Sequence, residues 1–209
     1  MKYRLLKAQA KKKKFIKRVA KIRQGEDSDG DLSSDDEIEV SNNFIGKLLN
    51  DKYLVIKYLS RGTFCKVWLV YDLTIHRYFA LKIQEDEDEE TLINEINMLN
   101  LIHRENIDKN ICHMVNYFDI KIGGIMKKAI LLELLGDSLG NLVFEDNDDI
   151  INTDMIKTIM KSILEGINSI HNKNLIHCDL KLDNILFCEP NKKIKSVMED
   201  INKLDLHNS

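Results

Sequence analysis

The sequence predicts an α+β fold, in which a small antiparallel sheet comes first and a helical part follows. Five short segments rich in β-branched and aromatic residues lie between residues 53 and 135, and a helical pattern follows the third of them. The longest helical pattern occupies residues 153–173. With 209 residues and 44% apolar residues, the chain can bury the core of one ordinary domain, or of a small domain with a partner lobe and a tail.

The first 43 residues are expected to form a disordered tail that is basic and then acidic. Residues 1–24 carry eleven Lys or Arg, which indicates a nuclear-targeting signal, a polyanion-binding segment or a solvated, partly helical tail. Residues 26–39 carry eight acidic residues and can bury little apolar surface. Because the net charge of the chain is −3, nucleic acid is expected as a partner only through residues 1–24.

Order is expected to begin near Phe44. The predicted elements of the first lobe are strands over 53–59, 66–72 and 77–83, a helix over 91–102, and strands over 113–122 and 127–135. The segment 44–135 is thus predicted to be one lobe that ends in a connecting segment.

A second, helical lobe is predicted over residues 136–190. Its main helix, 153–173, begins at a possible cap, Asn152 or Thr153. Its apolar stripe is formed by Ile156, Ile159, Met160, Ile163 and Ile167. The last segment, 191–209, is expected to be helical or disordered. The helical alternative is indicated by the spacing of Ile194, Val197, Met198, Ile201 and Leu204.

The cysteines and the hydropathy indicate an intracellular protein, in the cytoplasm, the nucleus or both. The four cysteines contain no C-x-x-C pair, so we interpret them as reduced thiols. The longest apolar stretch, residues 129–136, is short and carries Glu133. No membrane partner is therefore expected.

The strongest functional signal is IHCDLKLDNILF, residues 176–187. Its order H-x-D-x-K-x-x-N is that of a phosphoryl-transfer catalytic loop. In that interpretation Asp179 accepts or orients the proton of a substrate hydroxyl, Lys181 stabilises the transferring phosphate and Asn184 binds a magnesium ion. His177 and Cys178 are instead expected to be packed scaffold residues.

Phosphoryl transfer also needs a cover over the phosphates and a cation beside them. Gly62 allows close approach of the backbone to phosphate, and a loop around it is predicted to bind nucleotide. The loop residues are Leu59, Ser60, Arg61, Gly62, Thr63, Phe64, Cys65 and Val67. The cation would be Lys82, paired with Glu95, although Glu89 and Glu90 remain competing partners.

With these motifs in this order, the chain resembles eukaryotic serine/threonine protein kinases over roughly residues 44–190. It is most similar to the SR-protein kinases, and casein kinase one is the second choice. The resemblance rests on the segments IGKLLNDKYLVIKYLSRGTFCKVWLVYD, YFALKI, LINEINML, LLELLGDSLGNLV and ILEGINSIHNKNLIHCDLKLDNILF. It implies ATP and Mg²⁺ as cofactors and transfer of the γ-phosphate to a protein hydroxyl.

The resemblance also assigns the adenine site. Val67 and Ala80 would cover one side of the base and Leu186 the other, with Leu132 as the gatekeeper. Glu133 and Leu135 would belong to the hinge, whose backbone holds the adenine.

Two features depart from the family pattern. Cys178 stands where most kinases have an arginine, and SR-protein kinases resemble this chain in lacking that arginine. No D-F-G follows Asn184, so the second magnesium ligand and the activation segment are missing from these 209 residues. The expectation is therefore a kinase that is incomplete as a single chain, with a second polypeptide as a candidate partner. The alternative is a pseudokinase that binds nucleotide or a partner without phosphotransfer, and arginine-serine-rich proteins are the substrates that family likeness suggests.

Overall fold

The computed structural model describes residues 2–23, 44–62, 65–85, 89–103, 109–144 and 152–206. Its elements, in order, are α1 (Lys2–Arg23), β1 (Leu48–Leu49), β2 (Tyr53–Arg61), β3 (Cys65–Asp72), β4 (Arg77–Gln84), α2 (Glu89–His103), β5 (Met114–Ile122), β6 (Ile125–Leu132), α3 (Leu139–Phe144), α4 (Thr153–His171), a 3₁₀ turn (Leu182–Asn184) and α5 (Lys192–Leu206). The predicted α+β fold is confirmed.

The sheet has six strands in the order β1-β2-β3-β4-β6-β5, and every neighbouring pair is antiparallel. Five strands were predicted, and the sixth is β1, whose two residues pair with the start of β2. The prediction of five was wrong because a two-residue strand is too short to show an alternating pattern.

The two faces of the sheet bury different sets of side chains, because successive residues of a strand point to opposite faces. One face carries Trp68, Val70, Phe79 and Leu81, and it packs with the segment around Phe44 into the main core. The other face, which we call the helical face, is covered by helices. Its residues include Leu54, Ile56, Leu69, Ala80, Lys82 and Ile130.

Helices α1 and α5 cover one end of the helical face. Phe15 and Val19 of α1 lie with Ile194, Val197, Ile201 and Leu204 of α5 against β2 and β3. The expectation of disorder is therefore wrong for residues 2–23, because the spacing of Phe15 and Val19 gives α1 an apolar stripe that it buries. Residues 24–43 lie outside the described residues. In the last segment the structure has a helix over Lys192–Leu206.

Helix α2 covers the other end of the helical face. Its residues Leu92 and Ile96 are buried against Ile130, and Met114 and Leu132 pack beside them. The helical face is thus covered by α1 and α5 over β2 and β3, and by α2 over β6.

The second lobe is small and mainly helical. Helix α4 is capped by Asn152, whose Oδ1 accepts a hydrogen bond of 2.9 Å from the backbone N–H of Met155. The asparagine caps rather than Thr153 because it occupies the position just before the first helical turn. Sequence reasoning missed α3, whose six residues show too little periodicity to detect. None of the described helices is both long and apolar enough to cross a membrane.

Candidate active site

An ion pair joins Lys82 of β4 to Glu95 of α2. The Lys82 Nζ lies 2.7 Å from Oε1 and 2.6 Å from Oε2 of Glu95, and both side chains are partly buried. Strand alternation places Lys82 on the helical face, and the burial of Ile96 turns Glu95 towards it. Of the alternatives left open by the sequence, the structure selects Glu95.

Two thiols lie close to this ion pair. Burial raises the pKa of Cys65, with a further contribution from the negative charge of Glu95. Burial raises the pKa of Cys112 to about 12, and the charges of Glu133 and Glu95 act in the same direction. Both thiols are therefore neutral at physiological pH, so they add no charge to the surroundings of Lys82.

The residues predicted to cover adenine share the helical face with Lys82. In the strand register, Val67 lies opposite Lys82, and Ala80 lies opposite Leu132. Residues opposite each other in an antiparallel pair are on the same face. The sheet therefore presents an apolar strip that ends at a lysine, which suits a base followed by its phosphates.

The connection after β6 is tied to the segment that follows the catalytic loop. The N–H of Gly136 donates to the carbonyl of Phe187 at 2.7 Å, and the N–H of Phe187 donates to the carbonyl of Asp137 at 3.0 Å. Leu186 forms an isolated β-bridge with Ser138 and is 46% exposed. This pairing fixes the predicted lower cover of the adenine site to the hinge.

Gly136 is required by this contact. A Cβ atom at Gly136 would lie 2.0 Å from the carbonyl oxygen of Glu189, which is a clash with backbone. Glu133 is also fixed, because its Oε1 accepts from the N–H of His113 at 2.8 Å and its own N–H donates to the His113 carbonyl. Leu135 is partly buried.

The catalytic-loop residues form a hydrogen-bonded cluster. The amide Nδ2 of Asn184 donates to the backbone carbonyl of Asp179 at 2.8 Å and to its Oδ2 at 2.9 Å. The Nζ of Lys181 lies 3.3 Å from the same Oδ2. The hydrogen bond from Asn184, and then the one from Lys181, hold the pKa of Asp179 below its ordinary value. Asp179 is therefore an ionised acceptor at neutral pH.

His177 and Cys178 are exposed, so the expectation that they are packed scaffold residues is wrong. The loop lies at the surface of the described part of the chain. Cys178 also has a positive φ of 63°, which a residue with a Cβ rarely adopts. His177 accepts through its carbonyl from the N–H of Asp179 at 2.9 Å, which helps to orient that residue.

The predicted nucleotide loop is described only in part. The N–H of Gly62 donates to the carbonyl of Cys65 at 2.8 Å, which closes a tight hairpin, while Thr63 and Phe64 lie outside the described residues. Leu59 packs against the cluster of α1 and α5, and Ser60 is exposed.

Arg61 pairs with Glu85 across the hairpin at 3.2 Å. Glu85 also binds Lys66 at 2.6 Å, so one carboxylate ties both strands of the hairpin to the end of β4. The sequence analysis did not predict a role for Glu85. Its position at the start of the acidic run after β4 could have indicated that it pairs with the cations of the neighbouring hairpin.

The site residues fit a nucleotide better than they fit its magnesium ion. The lysine, the apolar strip and the hinge match the parts of ATP, whereas a kinase magnesium site requires a carboxylate besides the asparagine. The described residues contain no group of three or more His, Cys, Asp or Glu side chains that could hold a metal. Downstream of Asn184, Glu189 binds Lys195 and Asp200 binds Lys203. The described residues therefore do not by themselves form a complete kinase magnesium site.

Comparison with known proteins agrees with this geometry. The family model described as protein kinase domain matches residues 53–197. The chain belongs to the protein kinase family. SRSF protein kinase 3 of Mus musculus is 30% identical over 153 residues, which are 69% of this chain and 27% of that protein.

Further kinases show similar likeness. Serine/threonine-protein kinase spk-1 of Caenorhabditis briggsae is 30% identical over 72% of this chain and 14% of its own length. Dual specificity protein kinase YAK1 of Saccharomyces cerevisiae is 30% identical over 83% of this chain and 22% of its own length. The predicted kinase resemblance, close to SR-protein kinases, is confirmed, and the kinase chain spans at most 27% of these relatives.

Proposed function

We propose that this kinase chain carries the nucleotide site and catalytic loop of a serine/threonine protein kinase, with ATP as the phosphate donor. The observation that carries the proposal is the pair of charged clusters, Lys82 with Glu95 and Asp179 with Lys181 and Asn184. Packing of the fold alone does not require these two charged clusters. Phosphoryl transfer does require them, because it needs a cation on the phosphates and a carboxylate facing the hydroxyl.

Lys82 would bind the phosphates of the nucleotide. Its position is fixed by two contacts with Glu95, so the ammonium is held in place before a nucleotide binds. Prepositioned charge of this kind is a large term in catalysis because it needs no reorganisation during the reaction. The apolar strip of Val67 and Ala80 would hold the base beside it.

Asp179 would orient the hydroxyl of the protein substrate. Its lowered pKa keeps the carboxylate ionised, so it can accept the hydroxyl proton. Lys181 contacts the same carboxylate oxygen as Asn184 does, and it would stabilise the phosphate during transfer. Arginine-serine-rich proteins are the proposed substrate class. The similarity of this chain to SRSF protein kinase 3 is the reason for choosing that class.

The test is transfer of labelled phosphate from Mg-ATP to an arginine-serine peptide and to a generic acidic protein. The wild-type chain is compared with Lys82→Ala and Asp179→Asn. The transfer rate of each variant is expected to be lower than the wild-type rate by a factor of about 100 or more, because the loss of one strong electrostatic contact in an active site typically has an effect of this size. The matched controls are Lys157→Ala and Asp154→Asn, which make the same changes at exposed positions of α4. Equal rates for wild type and both site variants would refute the proposed catalytic roles.

A nucleotide-binding pseudokinase is the second candidate. It is favoured by the donor set, because the described residues contain no group of three or more His, Cys, Asp or Glu side chains that could hold the metal ion. ATP would then raise the melting temperature in the wild type but not in Lys82→Ala, while no phosphate is transferred. Absence of both binding and transfer would refute both candidates.

We also propose that further polypeptide covers the second lobe in the active form. Side chains of α4 that usually belong in a core are exposed, namely Ile156 at 48%, Met160 at 47% and Leu164 at 60%. The catalytic loop adds Ile176 at 78% and Leu180 at 49%. Contiguous exposed apolar surface marks an interaction site. Strong binding of a hydrophobic dye by the purified chain is expected, and a monomer with low dye binding would contradict this proposal.

A further inference from the structure

Helix α1 presents a basic face that the kinase site does not use. Residues 2–23 contain no Asp or Glu, and their only described buried side chains are Phe15 and Val19. Burial of these two residues fixes the rotation of the helix. At 100° per residue, the opposite side carries the exposed residues Lys13, Lys14, Lys17 and Lys21, and the exposed Arg18 lies on the flank beside them.

The helix is held firmly enough on the first lobe to give this face one orientation. Gly46 has a positive φ of 82°, and a Cβ there would lie 2.6 Å from the Cβ of Ala20. On the inner side, the Nζ of Lys12 donates to the carbonyl of Asp51 at 2.6 Å. Lys12 is therefore engaged with the fold, whereas the five outer cations point to solvent.

We propose that this outer face binds the phosphate backbone of nucleic acid without reading its sequence. Lys13, Lys17 and Lys21 follow one another every four residues, so they rise about 6 Å per step along the helix axis. That row of charges matches a linear polyanion. The nearby aromatic residue Phe15 is buried and so is not available for base stacking, and binding is expected to rest on the phosphate contacts.

Two other anionic partners could in principle bind this face, namely a lipid surface and the acidic residues 26–39. Packing and charge density favour nucleic acid over both. A helix that binds a lipid surface inserts its apolar face into the membrane, but the apolar face of α1 is packed against β2, β3 and α5. The acidic residues 26–39 carry eight charges in fourteen residues. If fully extended they carry about one charge per 6 Å, a lower charge density than the one charge per 3.4 Å of a nucleic-acid strand, so nucleic acid is expected to compete successfully with them for the lysines.

The test measures fluorescence anisotropy of a labelled 20-nucleotide RNA strand and of a 20-base-pair DNA duplex with the full 209-residue chain. If five cations contact RNA, the slope of log affinity against log salt is about −3.5, so affinity falls about 130-fold between 50 and 200 mM salt. Removing three cations in Lys13→Gln/Lys17→Gln/Lys21→Gln should reduce that fall to about 7-fold. The relative affinities of the two probes show which nucleic acid is preferred.

The matched control neutralises three lysines elsewhere, as Lys157→Gln/Lys161→Gln/Lys203→Gln. These residues are 72%, 77% and 69% exposed and lie on α4 and α5. The control should keep the wild-type slope, and circular dichroism should show the same helix content for both variants. Three results would each overturn the proposal: an unchanged slope in the α1 variant, no binding of either probe at 50 mM salt as expected if residues 26–39 occupy the face, or α1-dependent binding to vesicles with 30% phosphatidylserine but to neither probe.

Discussion

Replacing Ile201 by alanine tests whether α5 is part of the core of the first lobe. Ile201 is fully buried, and its cluster contains residues of α1, β2 and β3. The substitution removes three carbon atoms, worth about 2.4 kcal/mol of burial at about 0.8 kcal/mol each. The cavity left behind raises the expected loss in unfolding free energy to about 2.5–5 kcal/mol.

The assay is thermal and urea unfolding followed by circular dichroism. A loss of about 3 kcal/mol lowers the melting temperature of a chain this long by about 6–12 °C. The matched control is Ile156→Ala on α4, which removes the same atoms from a side chain that is 48% exposed and should change stability by less than about 0.5 kcal/mol. If the two variants lose equal stability, α5 does not pack on the sheet as the structure describes.

Three further predictions concern the hinge, the catalytic loop and the partly buried thiol of Cys112. Gly136→Ala should lower the unfolding free energy by more than about 2 kcal/mol because the Cβ would meet the carbonyl of Glu189, and urea unfolding at wild-type midpoint would contradict that contact. Asn184→Ala should raise the pKa of Asp179 towards its ordinary value, since the largest cause of its depression is the hydrogen bond from Asn184; carboxyl titration by NMR between pH 2 and 6 measures the shift, and an unmoved pKa would show that this bond is not made. Cys112 should resist iodoacetamide at pH 8, because its pKa of about 12 leaves almost no thiolate, while the two exposed cysteines are alkylated; mass spectrometry showing equal labelling would contradict the raised pKa.

The strands of the first lobe could be predicted because their sequence patterns are local. The segment 66–72 has the β-branched and aromatic content of a buried strand, and the structure places β3 over Cys65–Asp72. The spacing of Leu92 and Ile96 likewise predicted α2, whose burial of these residues is observed. The pairing of Lys82 with Glu95 followed from motif order, although the sequence left two other acids as partners.

What the sequence did not reveal depends on contacts between distant residues. Phe15 and Val19 lie within a run of lysines, so their apolar stripe was too narrow to outweigh the charge of the tail. The hydrogen bonds of Tyr78 could not be predicted either, because their acceptors lie 120 or more residues away. The Tyr78 hydroxyl donates to the carbonyl of Met198 at 2.9 Å and to Oδ1 of Asn202 at 2.7 Å. Whether His177 is packed or exposed could not be predicted from the sequence either, because its exposure depends on which other segments cover the loop.

The contact between α1 and α5 has a consequence for how the chain folds. It joins residues 15 and 19 to residues 194–204, so about 180 residues separate the partners along the chain. Closing so long a loop is entropically unfavourable, and non-local contacts of this kind slow folding. During synthesis only α1 can cover the apolar surface of Leu54, Ile56 and Leu69 until α5 has left the ribosome. Until α5 is synthesised the nascent chain therefore exposes part of this apolar sheet face, and transiently exposed apolar surface of this kind favours aggregation during folding.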